Sequence, residues 1–382
     1  MNQKCLLFEA GAEGKGELVM TVSKSDGTQI GEGPSVWLDL KNIKKMYVRA
    51  KGTPERNIDK PWDDNPSLVT SYVSDPNGHH FVNPPDEEKT VLIYVHGIHA
   101  IFAGESAAYL GNINVAETVF KRLWHAGYKG RLAFYKWPAL NPAGFFLNGT
   151  GFEFNQSEYR AWKYGKGLSE FAASMPGDYQ RHVFAHSQGN AVVAAAFNDY
   201  SLAAQTWIIS QGAIPISCYD TNPSHYVFTY TTPDLAQDLG YRGYLGQHGP
   251  AKVVNFYNTQ DHVTRAIWEA NHEVFKPTME LTGITRIEYK YYAGSGEVRL
   301  QKFFNSVLLS DRPVSDLHES MAMVVKSRSR SIGQGDSAIS KVNVPVDLHT
   351  EFTFGDEHGS QWDRTIQQNV TLYFERLLDE IE

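Results

Sequence analysis

Cysteine is almost missing from this chain, which holds two in 382 residues, Cys5 and Cys218. Two cysteines cannot build a disulfide framework, no C-x-x-C spacing offers a metal or redox site, and whether the two pair is left open by their spacing. Long apolar runs are missing as well. Leu6-Leu7-Phe8 is followed at once by Glu9, too little for a signal-peptide core. No run has the length of a membrane-spanning helix, so stable membrane insertion is not expected. Positive charge is in deficit, with a formal net charge of -8 and a pI near 6.0. Nucleic acid is therefore not an expected partner, although Lys326 to Arg330 makes a local basic patch. The glycine-rich stretch Gly11 to Gly16 lacks G-x-x-x-x-G-K-[ST] spacing and reads as a turn rather than a nucleotide site. No H-E-x-x-H occurs, and His96 and His99 have no third ligand at a helpful spacing. Neither a metal nor another cofactor is expected.

What the chain does have is core-forming material. Hydrophobic residues make up 42% and charged residues 20%, a balance that can bury a sizeable core. Its length suits one large α/β domain with insertions, or two domains. Residues 1 to about 50 read as strands and turns, with Leu18, Met20 and Val22 alternating and Asp26-Gly27 as a turn. Residues 51–88 are rich in Pro, Asp and Asn and read as a loop. Residues 1–88 thus form an expected N-terminal strand and loop extension, and 89–382 the main domain.

In that domain strands and helices alternate. Val91 to Val95 is a continuous apolar run, as in a strand buried on both faces of a parallel sheet. Val115, Val119 and Leu123 repeat at helical spacing. Further strands are expected at Leu132–Tyr135, His182–Ala185, Trp207–Ile209, Val253–Phe256 and Ile284–Tyr291. Further helices are expected around Tyr159–Phe171, with Ser157 as a cap, at Ala191–Phe197, and from about Trp362 through Leu377. This order predicts an α/β fold with a doubly wound, mostly parallel sheet. Two insertions interrupt it, at about 138–156 (Phe145, Phe146, Phe152, Phe154) and 218–250 (six aromatics from Tyr219 to Tyr244). Long aromatic loops either line a binding site, as a rim or partial lid, or pack on the sheet edge.

Ala185-His186-Ser187-Gln188-Gly189 lies between an apolar strand and an alanine-rich helix. A nucleophile elbow puts a serine on a sharp strand-to-helix turn, and small residues must flank it two positions away on each side. Ala185 and Gly189 meet that need, with alanine in place of the first glycine of G-x-S-x-G. Ser187 is the expected nucleophile. The Gln188 peptide N–H at the helix start is one expected oxyanion donor. His96-Gly97-Ile98 directly follows the 91–95 strand, where the second donor of such a site arises. Gly97 allows the tight turn, the Ile98 N–H is the expected donor, and His96 is expected to brace the loop. The acid should stand just beyond a later strand, and Asp261 does so after Asn255–Tyr257.

Beyond these motifs the chain resembles bacterial α/β-hydrolase family serine hydrolases of the esterase and lipase type, themselves uncharacterised in function. The similar stretches are Val36 to Leu40, Val95-His96-Gly97, Phe120 to Trp124, Ser157 to Trp162, Ala185 to Asn190, Ser210 to Pro215, Asn255 to Asp261 and Ser327 to Ser329. This chain has Ile98-His99 where the family commonly has an aromatic and an asparagine. The resemblance implies an α/β-hydrolase fold, and membership in a longer, secreted precursor.

The base must follow Asp261 in the order Ser, Asp, His. The choices are His262, His272, His318, His349 and His358. His262 adjoins the acid and cannot easily serve both partners. His272 falls in an expected helix, His318 before the apolar Met321 to Val325, and His349 in an expected edge strand. His358 lies in Gly355 to Ser360, a polar loop before the C-terminal helix, and the resemblance also puts a histidine there. His358 is the expected base, with His349 and His318 as alternatives. The expected function is cleavage of a carboxylic ester through an acyl-serine intermediate, with an apolar or aromatic acyl group on a small or polymeric substrate. An amidase or thioesterase is the alternative within the class, and a non-catalytic binding module on the same fold is the alternative outside it.

Overall fold

The computed structural model describes residues 12–40, 43, 46–53, 71–74, 89–98, 105–139, 152–214, 216, 226–228, 249–267, 287–294, 297–304, 307–313, 325–327, 331–335, 342–362 and 367–382. The chain begins with an antiparallel hairpin of β1 (Gly14–Ser23) and β2 (Gln29–Leu40), closed by a turn in which Gly27 takes a φ of 86°. Next come β3 (Tyr47–Thr53), β4 (Ser71–Ser74), β5 (Thr90–Val95), α1 (Glu105–Ala126) and β6 (Arg131–Lys136). They are followed by α2 (Phe152–Ala173), β7 (Gln180–His186), α3 (Gly189–Tyr200), β8 (Thr206–Ser210), β9 (Tyr226–Phe228) and β10 (Lys252–Tyr257). β11 (Ile287–Gly294), β12 (Glu297–Phe304), β13 (Val307–Pro313), β14 (Val325–Ser327), β15 (Val344–Asp347), α4 (Leu348–Phe352) and α5 (Gln367–Asp379) complete the described elements.

Eight strands form the main sheet in the order β15-β10-β8-β7-β5-β6-β3-β4. Every neighbouring pair is parallel except β3 with β4. The period of two along each strand divides its side chains between two layers. Val91, Ile93, Val95, Val183, Ala185, Trp207 and Ile209 face one core, while Leu92, Tyr94, Phe184, Ile208, Val254 and Phe256 face the other. Both sets are apolar because helices cover both faces. α2 and α3 pack together on the first side, α1 and α5 on the second. In α5 the buried Val370, Tyr373, Phe374, Leu377 and Leu378 make one helical stripe. The fold is α/β and doubly wound, with a β hairpin ahead of the sheet.

Four expectations differ from the structure. The sheet starts earlier than residue 89, since β3 and β4 from the supposed extension join it. The strand near 284–291 is β11, and it belongs to a separate three-stranded antiparallel sheet with β12 and β13. Its sequence, Ile287-Glu288-Tyr289-Lys290, alternates with charge and lacks the continuous apolar run of a doubly covered strand. The last place in the main sheet belongs instead to β15, whose Pro345 is tolerated at an edge. Ser157 does not stand at the start of its helix: α2 begins at Phe152, and Ser157 is buried inside it. Of the two insertions, 152–156 lies in α2, and Tyr226–Phe228 pairs with Val325–Ser327. The rest of both, apart from residues 138, 139, 249 and 250, lies outside the described residues, as do His272, His318 and Met321 to Val324.

One buried group in the sheet has a consequence for stability. His182 on β7 is buried, and neither ring nitrogen has a hydrogen-bond partner among the described residues. Burial, and secondarily the charge of Lys252, pushes its pKa down from 6.5 to about 4. The unfolded chain therefore takes up this proton as the pH falls through 6.5, and the folded chain only near 4. Stability is full above that window and is lost as the pH falls across it, by roughly 3 kcal/mol from this residue. His182→Leu is expected to flatten this part of the pH dependence and raise the melting temperature in mild acid. Thermal melts of both proteins across the window check this, and parallel curves for the two would refute it.

Candidate active site

Ser187 follows β7 directly and has a φ of 53°, in the left-handed region that a non-glycine residue rarely occupies. Such a conformation costs on the order of 1–3 kcal/mol and persists only where its surroundings over-determine it. Here they do. The Ser187 N–H donates to the Ser210 carbonyl at 3.0 Å, and its own carbonyl accepts from the Asn190 and Ala213 N–H groups at 3.2 and 3.0 Å. The Asn190 side-chain amide donates to the carbonyls of Ala185 and Ser187, and its oxygen accepts from the Trp207 indole at 3.0 Å. Asn190 is fully buried, so the turn is laced from within.

The small flanking residues have a steric reason. A Cβ at Gly189 would come within 2.4 Å of the His96 carbonyl oxygen. A Cβ at Gly97 would come within 2.8 Å of the Ser187 Cβ and 3.1 Å of the His186 carbonyl oxygen. The loop after β5 therefore rests directly on the serine turn. His96 fixes that loop. Its Nδ1–H donates to the Gly97 carbonyl at 2.6 Å, and its Nε2 accepts from the Trp137 N–H at 3.2 Å. The Trp137 indole donates to the His96 carbonyl at 2.8 Å, and the two rings stack. Ile98 packs partly buried against the core, and Gln188 stands at the start of α3. His99 lies outside the described residues.

Asp261 and His358 meet. The His358 Nδ1–H donates to Asp261 Oδ2 at 2.6 Å. The same oxygen accepts from Thr264 Oγ1 at 2.8 Å and Gln211 Nε2 at 3.1 Å. Oδ1 accepts from the Val263 and Thr264 N–H groups. The Asp261 side chain is fully buried, which by itself raises its pKa. The charge and hydrogen bond of His358, with the bonds from Thr264 and Val263, outweigh that burial and hold the carboxyl below its ordinary value. The second ring nitrogen of His358, Nε2, is buried and has no hydrogen-bond partner among the described residues, Ser187 Oγ included. The His358 ring lies 4.8 Å from the ring of His186, the residue before Ser187.

The two other described candidates for the base serve the backbone. His262 Nδ1 donates to the Asp356 carbonyl at 2.8 Å. His349 lies in the short helix α4 rather than in the β15 edge strand, because Asp347 caps the helix from the end of that strand. Its Nδ1 donates to the Phe354 carbonyl. Reasoning from the sequence missed Gln211, which stands just past β8 with a φ of 43° and bonds the acid. It also missed Gln334, whose amide reaches the Asp261 carbonyl and Thr264 Oγ1. The only signal for either was the Ser210-Gln211-Gly212 stretch, which carried no role. Among the described residues no group of three or more His, Cys, Asp or Glu could hold a metal ion, and no helix is long and apolar enough to cross a membrane.

The sheet is mostly parallel and wound on both faces, with a strained serine between a central strand and its helix, an arrangement that resembles the nucleophile turn of α/β-hydrolase folds. The chain is distantly similar to solved structures of an esterase and a thioesterase. One is polyneuridine aldehyde esterase, at 12% identity, a TM-score of 0.28, and coverage of 75% of this chain and 98% of that one. Another is YbtT, a type II thioesterase from the yersiniabactin NRPS/PKS biosynthetic pathway, at 14% identity, a TM-score of 0.25, and coverage of 47% and 77%. No protein-family model matches the chain, and a search of curated proteins finds no match either.

Proposed function

We propose that this chain is a serine hydrolase that cleaves carboxylic esters through an acyl-serine intermediate. Ser187 is the nucleophile, His358 the base, Asp261 the acid that orients it, and the Ile98 and Gln188 N–H groups the oxyanion donors. The observation that supports the reading is the buried His358–Asp261 bond, with the His358 ring 4.8 Å from that of His186, the residue before a serine held in a left-handed turn. Asp261 accepts from Nδ1, so the neutral imidazole keeps its lone pair on Nε2, the atom without a partner among the described residues. That lone pair takes the hydroxyl proton as Ser187 Oγ attacks the carbonyl carbon. The tetrahedral oxyanion collapses, the alcohol leaves with the proton from His358, and water then attacks the acyl-serine with the same imidazole as base. The aromatic residues of 138–156 and 218–250 support an apolar or aromatic acyl group. The resemblance to uncharacterised bacterial esterase- and lipase-like hydrolases points the same way.

A fluorophosphonate probe and a panel of p-nitrophenyl esters, anilides and thioesters test the proposal on purified protein. Labelling at Ser187, with ester turnover above that of the other two series, is expected. Neither labelling nor turnover would reject the enzyme, while faster thioester or anilide cleavage would move it within the class.

A further inference from the structure

The loop that carries His358 is held by its backbone carbonyls, one after another. Asn258 Nδ2 donates to the Gly355 carbonyl at 2.7 Å. The His262 N–H and Nδ1–H both donate to the Asp356 carbonyl, at 3.1 and 2.8 Å. Gln211 Nε2 donates to the Glu357 carbonyl at 3.2 Å, with its other hydrogen on Asp261 Oδ2. His186 Nε2 donates to the His358 carbonyl at 2.9 Å. Four successive carbonyls are thus each met by a nitrogen donor.

The donors are ordered in space. Asn258 follows β10, Gln211 follows β8, and His186 ends β7, and these three strands are neighbours in the sheet in that order. The carbonyls of 355, 357 and 358 are therefore held in turn from the carboxyl ends of β10, β8 and β7, and the last of them belongs to His358, whose ring lies against that of His186.

We infer that His186 and Gln211 are positioning residues for the base, setting the place of the His358 ring through the carbonyls of residues 357 and 358. The inference rests on the hydrolase reading above. His186 is suited to the task beyond its one bond. Its ring lies against that of His358 and meets the Trp362 ring edge-on at 5.7 Å, so it can neither swing out nor rotate freely. Burial, then the charge of His358, pushes its pKa down to about 3, so it stays neutral while the adjacent imidazole cycles through its charged form. A cation here would oppose the imidazolium that the reaction creates. Gln211 couples the two halves of the device, because one amide nitrogen holds both the acid and the loop.

His186→Gln can put an amide N–H where the imidazole Nε2–H stands. His186→Phe keeps a ring against His358 and Trp362 but has no donor. Gln211→Met keeps length and loses both of its bonds. We expect His186→Phe and Gln211→Met to lower kcat on the order of 100-fold, the loss that follows from misplacing a reacting group by about 1 Å. This kcat is counted per serine titrated by fluorophosphonate, KM should hold, and His186→Gln should recover most of the turnover. A second readout needs no turnover. The short Nδ1–H···Oδ2 bond of His358 should give a far-downfield proton resonance that is absent in His358→Ala, kept in His186→Gln and lost in His186→Phe. Wild-type kcat per titrated site in His186→Phe, or equal losses in the Gln and Phe variants, would overturn the inference with the hydrolase reading intact. A wild-type protein that is neither labelled nor active would end the hydrolase reading, and the resonance alone would then decide whether the carbonyl bonds set the ring. If His186→Phe fails to fold by circular dichroism, Gln211→Met carries the same comparison.

Discussion

Replacing His358 by alanine is expected to lower ester turnover by about four to six orders of magnitude, the loss typical of removing the base from a triad that acts as a unit. The fold should survive. The loop is held through backbone carbonyls at 355 to 358, none of which depends on the imidazole. Asp261 would keep its bonds from Gln211, Thr264 and Val263, so no buried charge is left bare. Alanine variants at 318, 349 and 358, with circular dichroism as the folding control, make the measurement. His349→Ala loses a bond to the Phe354 carbonyl that closes the turn ahead of the loop, and should cost stability rather than chemistry. A folded His358→Ala with near-normal activity beside a dead His349→Ala or His318→Ala would remove His358 from the mechanism.

How much of this could be read in the sequence depended on whether side chains or the backbone carried the information. The five central strands were legible because covering both faces demands unbroken apolar runs, as in Val91 to Val95. The serine turn was legible because sterics there admit only small neighbours: Gly189 faces the His96 carbonyl closely enough to exclude a Cβ. β15 was hidden, since Val344-Pro345-Val346-Asp347 is short and holds a residue that strands usually refuse. The start of α2 was hidden among phenylalanines whose spacing looked like loop. Gln211 and the held carbonyls were hidden for a different reason. A carbonyl acceptor is present in every residue, so its use leaves no mark on residue identity, and a glutamine after a strand matches no pattern. The partners of His358 come from residues 186, 211 and 261, which only the sheet order brings side by side.

Asp261→Asn is expected to lower kcat about 10⁴-fold while sparing substrate binding, through the tautomer of His358 rather than through its place. Oδ2 now receives three donors: His358 Nδ1, Gln211 Nε2 and Thr264 Oγ1. Oδ1 receives the N–H groups of Val263 and Thr264. An asparagine has one oxygen for these two sets. Left on the backbone N–H groups, it turns its NH₂ toward His358, and the imidazole must accept at Nδ1. The proton then moves to Nε2, where it blocks uptake of the serine proton. In that arrangement the NH₂ faces one other donor, the Gln211 amide, whereas turned the other way it collides with two backbone donors, each buried group left unpaired costing about 1–3 kcal/mol. The first arrangement costs less, so the variant should fold with an inverted imidazole. The acid limb of the stability curve gives an independent check. The Asp261 carboxyl is held below its unfolded value of 3.8, so its ionised form stabilises the fold above that pH, and this stabilisation is lost as the pH falls through the folded value. Asparagine does not titrate, so the variant should lack this contribution to acid unfolding. Nitrogen NMR of His358 distinguishes the two tautomers directly. A variant that keeps the proton on Nδ1, or retains wild-type kcat, would show that the carboxylate does not govern the base.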